Sequence, residues 1–204
     1  GCRLAVSWPD LYAVQVRAIL EAAMDVDAAI VPQILVPVVS LASEFAHVAA
    51  NIAGVAASLG AARRAEPRYQ VGALVEVPRA ALRAGELART ASFLSFGTNN
   101  LTQTTFGVAR DDAAAFLERY RERGIVPGDP FVTLDTGGVG ELLREAVTRG
   151  RAVRPDLEIG VCGEHGGDPA SIHFFDQVGL DYVSCSPYRV PVARLEAGRA
   201  ATSP

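Results

Sequence analysis

The stretch Ser92–Gln103, SFLSFGTNNLTQ, decides the fold. A short apolar run, Ser92–Phe96, stops at a glycine and is followed by a threonine and two asparagines. Short, continuous apolar runs are typical of strands that are covered on both faces of a parallel sheet. Such sheets bind ligands at the carboxyl ends of their strands. Gly97, Thr98, Asn99 and Asn100 therefore form either a ligand-binding segment or a plain turn, since Gly and Asn both tolerate left-handed conformations.

The same alternation of apolar runs and helical patterns continues on both sides of this stretch. Besides Ser92–Phe96, runs that predict strands lie at Val31–Val39, Val71–Val77, Leu157–Gly163 and Tyr182–Ser186. Helical patterns lie at about Ser43–Leu59, Pro78–Arg89, Asp112–Gly124 and Val139–Val153. Two further helix starts are predicted at Asp168–Pro169 and Ser186–Pro187, where a capping residue precedes proline.

This order of elements predicts an α/β fold with a parallel sheet and about five strand-helix units. The pattern does not distinguish an open sheet from a (β/α)₈ barrel. A barrel usually needs about 250 residues. Five units in a chain of 204 residues would therefore be an incomplete barrel.

Composition limits the classes of function. The net charge of −4 argues against general binding to nucleic acids or anionic membranes. All 19 basic residues are Arg, which excludes a Schiff-base lysine and a Walker lysine on this chain. Three cysteines at scattered spacing indicate reduced thiols and a cytoplasmic location. The sequence predicts that no segment is long enough to span a membrane, and it predicts no signal peptide. The first residue is Gly1, so we expect a piece of a longer chain.

Ionisable groups interrupt two of the predicted strand ends. Glu76 lies in an apolar strand, where a carboxylate must be paired, protonated or bound to a cation. An ion pair with Arg79, or with another Arg at the same strand ends, is one explanation, and a site for a hard cation such as Mg²⁺ is the other. Cys162 ends a strand close to Glu164 and His165; it is either an inert buried thiol or a proton donor or nucleophile.

These motifs, taken together, resemble one known family. VGALVEVPRAAL, SFLSFGTNNLTQTTFG, ARDDAAAFL, GVCGEHGGDPAS and DYVSCSPYRVPVARL are similar to the C-terminal domain of pyruvate, phosphate dikinases, as is the opening GCRLAVSWPDLYAVQVRAILEAA. The resemblance covers almost the whole chain and is weakest around Asn51–Arg68. Phosphoenolpyruvate (PEP) synthases and the sugar phosphotransferase enzyme I share the GTN-x-LTQ core.

The resemblance implies a (β/α)₈ barrel that binds Mg²⁺ and pyruvate or PEP and makes homodimer contacts. The family converts ATP, phosphate and pyruvate into AMP, pyrophosphate and PEP. A phosphohistidine on a separate domain carries the phosphoryl group. The chain would be the C-terminal part of the barrel, residues 1–204, without the phosphohistidine and nucleotide-binding domains.

The resemblance also implies roles for individual residues. Glu76 and Asn100 match the metal ligands, Cys162 matches the acid that exchanges a proton with the methyl carbon of pyruvate, and Gly97–Asn99 match the segment that holds the substrate. The supporting positions are Ser95, Tyr182, Arg79 and His165.

One substitution and the length leave alternatives open. The family pattern has Asp where this chain has Asn100, so we expect weaker Mg²⁺ binding and a slower enolate step. About five of eight strands are present, so we expect no full reaction from the chain by itself. A non-catalytic domain for dimerisation or interaction is the second hypothesis, and a PEP synthase is the third.

Overall fold

The computed structural model describes residues 1–27 and 29–202. In this part of the chain, five parallel strands form one sheet. The strands are β1 (Gln33–Val36), β2 (Gln70–Val75), β3 (Phe93–Gly97), β4 (Glu158–Cys162) and β5 (Tyr182–Val183). All five lie where the apolar runs predict strands, although β5 is shorter than the predicted Tyr182–Ser186.

Helices precede the sheet and connect its strands. In chain order they are α1 (Cys2–Ser7), α2 (Pro9–Val26), α3 (Ala42–Arg63), α4 (Pro78–Leu82), α5 (Ala84–Leu87), α6 (Thr98–Phe106), α7 (Arg110–Glu122), α8 (Val139–Val153), α9 (Pro169–Val178) and α10 (Val190–Ala200). Short 3-10 helices occupy Glu164–Gly167 and Pro187–Arg189.

The strand order distinguishes a barrel from an open sheet. The strands follow one another as β1-β2-β3-β4-β5, without the reversal that defines doubly wound sheets. The sheet also curves, because Gln33 at the start of β1 lies 3.5 Å from the carboxylate of Glu158 at the start of β4, although β2 and β3 separate these strands. The prediction of a partial (β/α)₈ barrel is therefore confirmed.

Helix α3 covers the core with one apolar face. Its buried side chains recur at three- to four-residue spacing, at Phe45, Val48, Ile52, Ala56 and Leu59. By length and composition alone α3 could cross a membrane, so the prediction that no segment is long enough was wrong. The buried face of α3 packs in the common core, and 28% of its most apolar 18-residue window is buried.

Several local predictions need correction. The segment after β3 is helical, because α6 begins at Thr98; the sequence predicts a helix in this region only at Asp112–Gly124. The helix predicted at Pro78–Arg89 is divided at Arg83. Asp168 caps α9 as predicted, since its carboxylate accepts a hydrogen bond from the Ser171 amide. Ser186 makes no such side-chain bond, and Pro187 starts a 3-10 helix.

Strand β3 is buried along its whole length, and this predicts where the fold is most sensitive. Leu94 is fully buried at the centre of the sheet, so Leu94→Ala should lower the free energy of unfolding by about 2–5 kcal/mol in urea denaturation. Leu195→Ala is the matched control, because that leucine is 62% exposed and should change the value by less than about 0.5 kcal/mol. Equal effects of the two substitutions would contradict the assigned core.

Candidate active site

The ends of three neighbouring strands bring the predicted site residues together. Glu76 directly follows β2, Gly97 ends β3 and Cys162 ends β4. Gly97 and Cys162 are paired in the parallel register, so the two strand ends lie side by side. The predicted residues therefore converge on one edge of the sheet, the edge at which parallel sheets bind ligands.

Glu76 is a buried carboxylate with two hydrogen-bond donors. Only 3% of its surface is exposed. The amide of Val38 donates to Oε1 over 2.6 Å, and the side-chain amide of Asn100 donates to Oε2 over 2.5 Å. Arg79 is exposed and donates instead to the Ser40 carbonyl, so the alternative of an ion pair with Arg79 was wrong.

Gly97 is required by the packing of Glu76. A Cβ atom at this position would lie 2.8 Å from both Cβ and Oε2 of Glu76. Real Cβ atoms do not approach other atoms so closely, so any larger residue would displace the carboxylate.

The residues after Gly97 form the first turn of α6. A plain turn, one of the two alternatives, is therefore excluded. The first N–H groups of a helix have no partners within the helix and face outward at the positive end of its dipole. Thr98, Asn99 and Asn100 place these groups beside the end of β4, where Asn99 Oδ1 lies 3.4 Å from the Glu164 amide. This end of α6 suits a bound anion.

His165 is a buried link between α6 and the segment before α8. Its Nε2 lies 2.8 Å from the Pro130 carbonyl, which can only accept, so Nε2 carries the proton. Nδ1 then accepts from the Thr98 hydroxyl over 2.8 Å. Burial lowers the pKa of His165, and the neutral ring satisfies both contacts. In this arrangement His165 positions the start of α6.

Cys162 has a half-buried thiol that remains protonated near neutral pH. Burial raises the pKa of Cys162 and the charge of Glu76 adds to the rise, whereas a hydrogen bond with Ser95 opposes it. Burial likewise raises the pKa of Tyr182, and the neighbouring Ser95 side chain opposes that rise. Gly160 leaves room for the Tyr182 ring, which a Cβ would meet at 2.1 Å. The thiol is therefore suited to proton donation more than to nucleophilic attack.

Two residues that the sequence analysis missed complete the site. Val38 is the first, through its bond to Glu76. Gln103 is the second: its Nε2 donates to Asn100 Oδ1 over 3.0 Å, and its Oε1 accepts from the Arg110 amide over 2.8 Å. Gln103 lies one helical turn after Asn100, a spacing that would have indicated the contact if α6 had been predicted.

The side chains of Glu76 and Asn100, as arranged here, do not fit a Mg²⁺ ion. Mg²⁺ takes oxygen ligands at about 2.0–2.1 Å in an octahedron, which places neighbouring ligands about 3 Å apart. The Asn100 atom that faces Glu76 is a nitrogen at 2.5 Å, and its oxygen is engaged by Gln103. Within residues 1–27 and 29–202, no group of three or more His, Cys, Asp or Glu side chains could hold a metal.

Comparison with known families assigns the chain. The family model described as PEP-utilising enzyme, PEP-binding domain, matches residues 1–202. The chain belongs to this family. The match spans every described residue, and it is consistent with the resemblance seen in the motifs.

Curated relatives of this PEP-binding domain are named pyruvate, phosphate dikinase. The protein of Rhizobium meliloti is 54% identical over 204 residues, which cover 98% of this chain and 23% of the relative. The chloroplastic protein of Flaveria pringlei is 52% identical, with 98% and 21% covered, and that of Clostridium symbiosum 49%, with 98% and 24%. The chain thus spans about a fifth to a quarter of the length of these relatives.

A solved structure supports the fold. A citrate lyase from Burkholderia xenovorans superposes with a TM-score of 0.60 at 20% identity, covering 91% of this chain and 53% of that one. At this identity the similarity concerns architecture alone, and it agrees with the partial barrel.

The buried, neutral His165 predicts a pH-dependent stability. Its pKa is lowered in the fold from an ordinary value of about 6.5, so only the unfolded chain takes up the proton as the pH falls below about 6.5. The wild type should therefore lose up to about 1.4 kcal/mol per pH unit, relative to His165→Gln, as the pH falls below about 6.5 and until it reaches the lowered pKa of the folded state.

Denaturation in urea at several pH values measures this difference. His47→Gln is the matched control, because His47 is exposed on α3 and should leave the slope unchanged. A wild-type slope equal to that of His165→Gln would show that His165 is protonated in the fold.

Proposed function

We propose that the chain is the PEP- and pyruvate-binding half-site of a pyruvate, phosphate dikinase. The observation that supports this most is the convergence of Glu76, Gly97–Asn100 and Cys162 on one sheet edge of a chain that matches the PEP-binding family over residues 1–202. The full enzyme would convert ATP, phosphate and pyruvate into AMP, pyrophosphate and PEP. Its partners would be a phosphohistidine domain and a second copy of the chain, in the cytoplasm.

The first turn of α6 would bind the anionic end of the substrate. Pyruvate and PEP both carry a carboxylate, and the N–H groups of Thr98, Asn99 and Asn100 would offer donors at the positive end of a helix dipole. With the substrate carboxylate bound there, these groups would also face the negative charge that develops on the oxygen as pyruvate becomes its enolate. Backbone donors held by His165 and Gly97 would need little rearrangement on binding.

Cys162 would exchange the proton at the methyl carbon. In the direction of pyruvate formation, the phosphoryl group leaves PEP for the phosphohistidine position and the enolate remains. The thiol then gives its proton to the methylene carbon, a C–H bond forms, the oxygen becomes a carbonyl and a thiolate is left. The raised pKa would keep the proton on Cys162 until the enolate forms, and the nearby Ser95 side chain, which lowers this pKa, would favour the thiolate.

Of the two other hypotheses, one has a specific observation in its favour. Asn100 favours a non-catalytic domain for dimerisation or interaction. This residue stands where the family pattern has Asp, and its side-chain amide donates a hydrogen bond to the carboxylate of Glu76. A PEP synthase would share this half-site. It would use water in place of phosphate, so the absence of pyrophosphate among the products of the full-length protein would identify it.

Binding of oxalate, a mimic of the pyruvate enolate, tests the half-site by calorimetry. We expect saturable binding to the full chain, and Gly97→Ala should weaken it at least about tenfold, because the new Cβ displaces Glu76. Gly54→Ala is the matched control, since a Cβ there meets nothing within 4 Å. If the folded wild-type chain binds no oxalate, the proposed half-site is wrong.

Proton exchange tests the role of Cys162. We expect the chain to exchange the methyl hydrogens of pyruvate with deuterated water, as followed by NMR. Cys162→Ala should slow this exchange by about 10²-fold or more while oxalate binding changes less than about threefold. Cys185→Ala should alter neither quantity. Oxalate binding without any exchange by the wild type would favour the non-catalytic hypothesis.

A further inference from the structure

A continuous chain of hydrogen bonds links three strand ends through Glu76. The Arg110 amide donates to Gln103 Oε1 over 2.8 Å, and Gln103 Nε2 donates to Asn100 Oδ1 over 3.0 Å. Asn100 Nδ2 donates to Glu76 Oε2 over 2.5 Å, and the Val38 amide donates to the other carboxylate oxygen over 2.6 Å. This series of hydrogen bonds thus extends from the first residue of α7 to the loop after β1.

The hydrogen bonds made by the two side-chain amides all have the same donor-to-acceptor direction, from Arg110 toward Glu76. A backbone amide can only donate, so the Arg110 N–H fixes the oxygen of Gln103 toward itself and turns the Gln103 nitrogen toward Asn100. That nitrogen fixes the Asn100 oxygen, which leaves the Asn100 nitrogen facing Glu76. The opposite orientation of either amide would place two donors or two acceptors against each other.

We propose that Gln103 is the positioning residue of this site: it fixes the Asn100 amide toward Glu76, and that amide then holds the carboxylate in the place of a divalent cation. The buried charge of Glu76 needs partners in any case. Two N–H donors supply them without a metal ion.

A carboxylate at either amide position would reverse this arrangement. With Asn100→Asp, Gln103 could still donate to the new side chain, but that side chain could not donate to Glu76. Two carboxylates would then face each other at a separation near 2.5 Å, and a cation would relieve their repulsion. With Gln103→Glu, Asn100 would turn its nitrogen toward the new carboxylate and its oxygen toward Glu76, which again leaves two acceptors in contact.

The inference builds on the proposed site, but its test reads stability and not substrate binding, so the two can fail separately. The probe is Mg²⁺ alone, and the readout is the melting temperature of the full chain in chelator and in millimolar Mg²⁺. Wild type should shift by less than about 1 °C, since no cation binds at Glu76. Asn100→Asp should melt lower in chelator and rise by about 5 °C with Mg²⁺.

Gln103→Glu is the decisive variant, because it changes neither Glu76 nor Asn100. It should gain a Mg²⁺-dependent rise of the same sign as Asn100→Asp. Matched controls are Asn51→Asp on α3 and Gln177→Glu on α9, which make the same changes of charge away from the site and should not respond to Mg²⁺.

Two results would overturn the proposal. The first is a wild-type melting temperature that rises with Mg²⁺ as much as that of Asn100→Asp, because the amide would then leave room for the ion. The second is a Gln103→Glu variant that responds to Mg²⁺ no more than its control does. If Asn100→Asp fails to fold in chelator, the Gln103→Glu comparison decides the question, since Gln103 is only half-buried.

Discussion

The burial of the Glu76 carboxylate constrains how the carboxyl ends of β1, β2 and β3 are arranged. Glu76 is almost completely removed from water, and a carboxylate in that position is costly unless donors satisfy both of its oxygens. The donors come from the loop after β1 and from α6, so a single side chain ties the ends of β1, β2 and β3 to one another. The close approach at Gly97 belongs to the same constraint, since β3 must pass directly beside the carboxylate.

The constraint explains a strained residue nearby. Val38 has φ of 56°, in the left-handed region that β-branched residues rarely adopt and that costs about 1–3 kcal/mol. This conformation lets the Val38 amide reach Glu76 and its carbonyl accept from the Cys2 thiol over 3.0 Å. The two bonds offset the strain and also attach the start of α1 to the sheet. Backbone strain of this kind concentrates at functional sites, which agrees with the place proposed for the substrate.

The sequence predicted the parts of this fold that repeat and missed the parts that do not. Apolar runs located every described strand, because strands covered on both faces must be apolar along their length. Helix α6 was missed because its sequence is mostly Thr, Asn and Gln, residues that compete with the helix for backbone hydrogen bonds. The burial of one face of α6 and the hydrogen bond between Thr98 and His165 stabilise the helix despite its low intrinsic helix propensity.

The partners of the site residues were harder to predict than the residues themselves. Glu76, Cys162 and His165 were found from the chain alone, because each is an ionisable group at a strand end. Arg79 was the reasonable local partner for Glu76, but it lies exposed and turned toward Ser40. Asn100, the true partner, belongs to another strand end 24 residues away, and only the register of the parallel sheet brings the two together.

The amide of Asn100, in place of a carboxylate, changes the net charge around Glu76 and Cys162. Two carboxylates and a divalent cation would sum to zero, whereas Glu76 with a neutral amide leaves one negative charge beside Cys162. That charge raises the pKa of the thiol, so it strengthens the hold on the proton and disfavours the thiolate. It also opposes the enolate, which would have only the N–H groups of α6 to balance it. An amide-held site should therefore bind the keto form of pyruvate more readily than it generates the enolate, and any catalysis it retains must depend on how strongly the first turn of α6 compensates the missing positive charge.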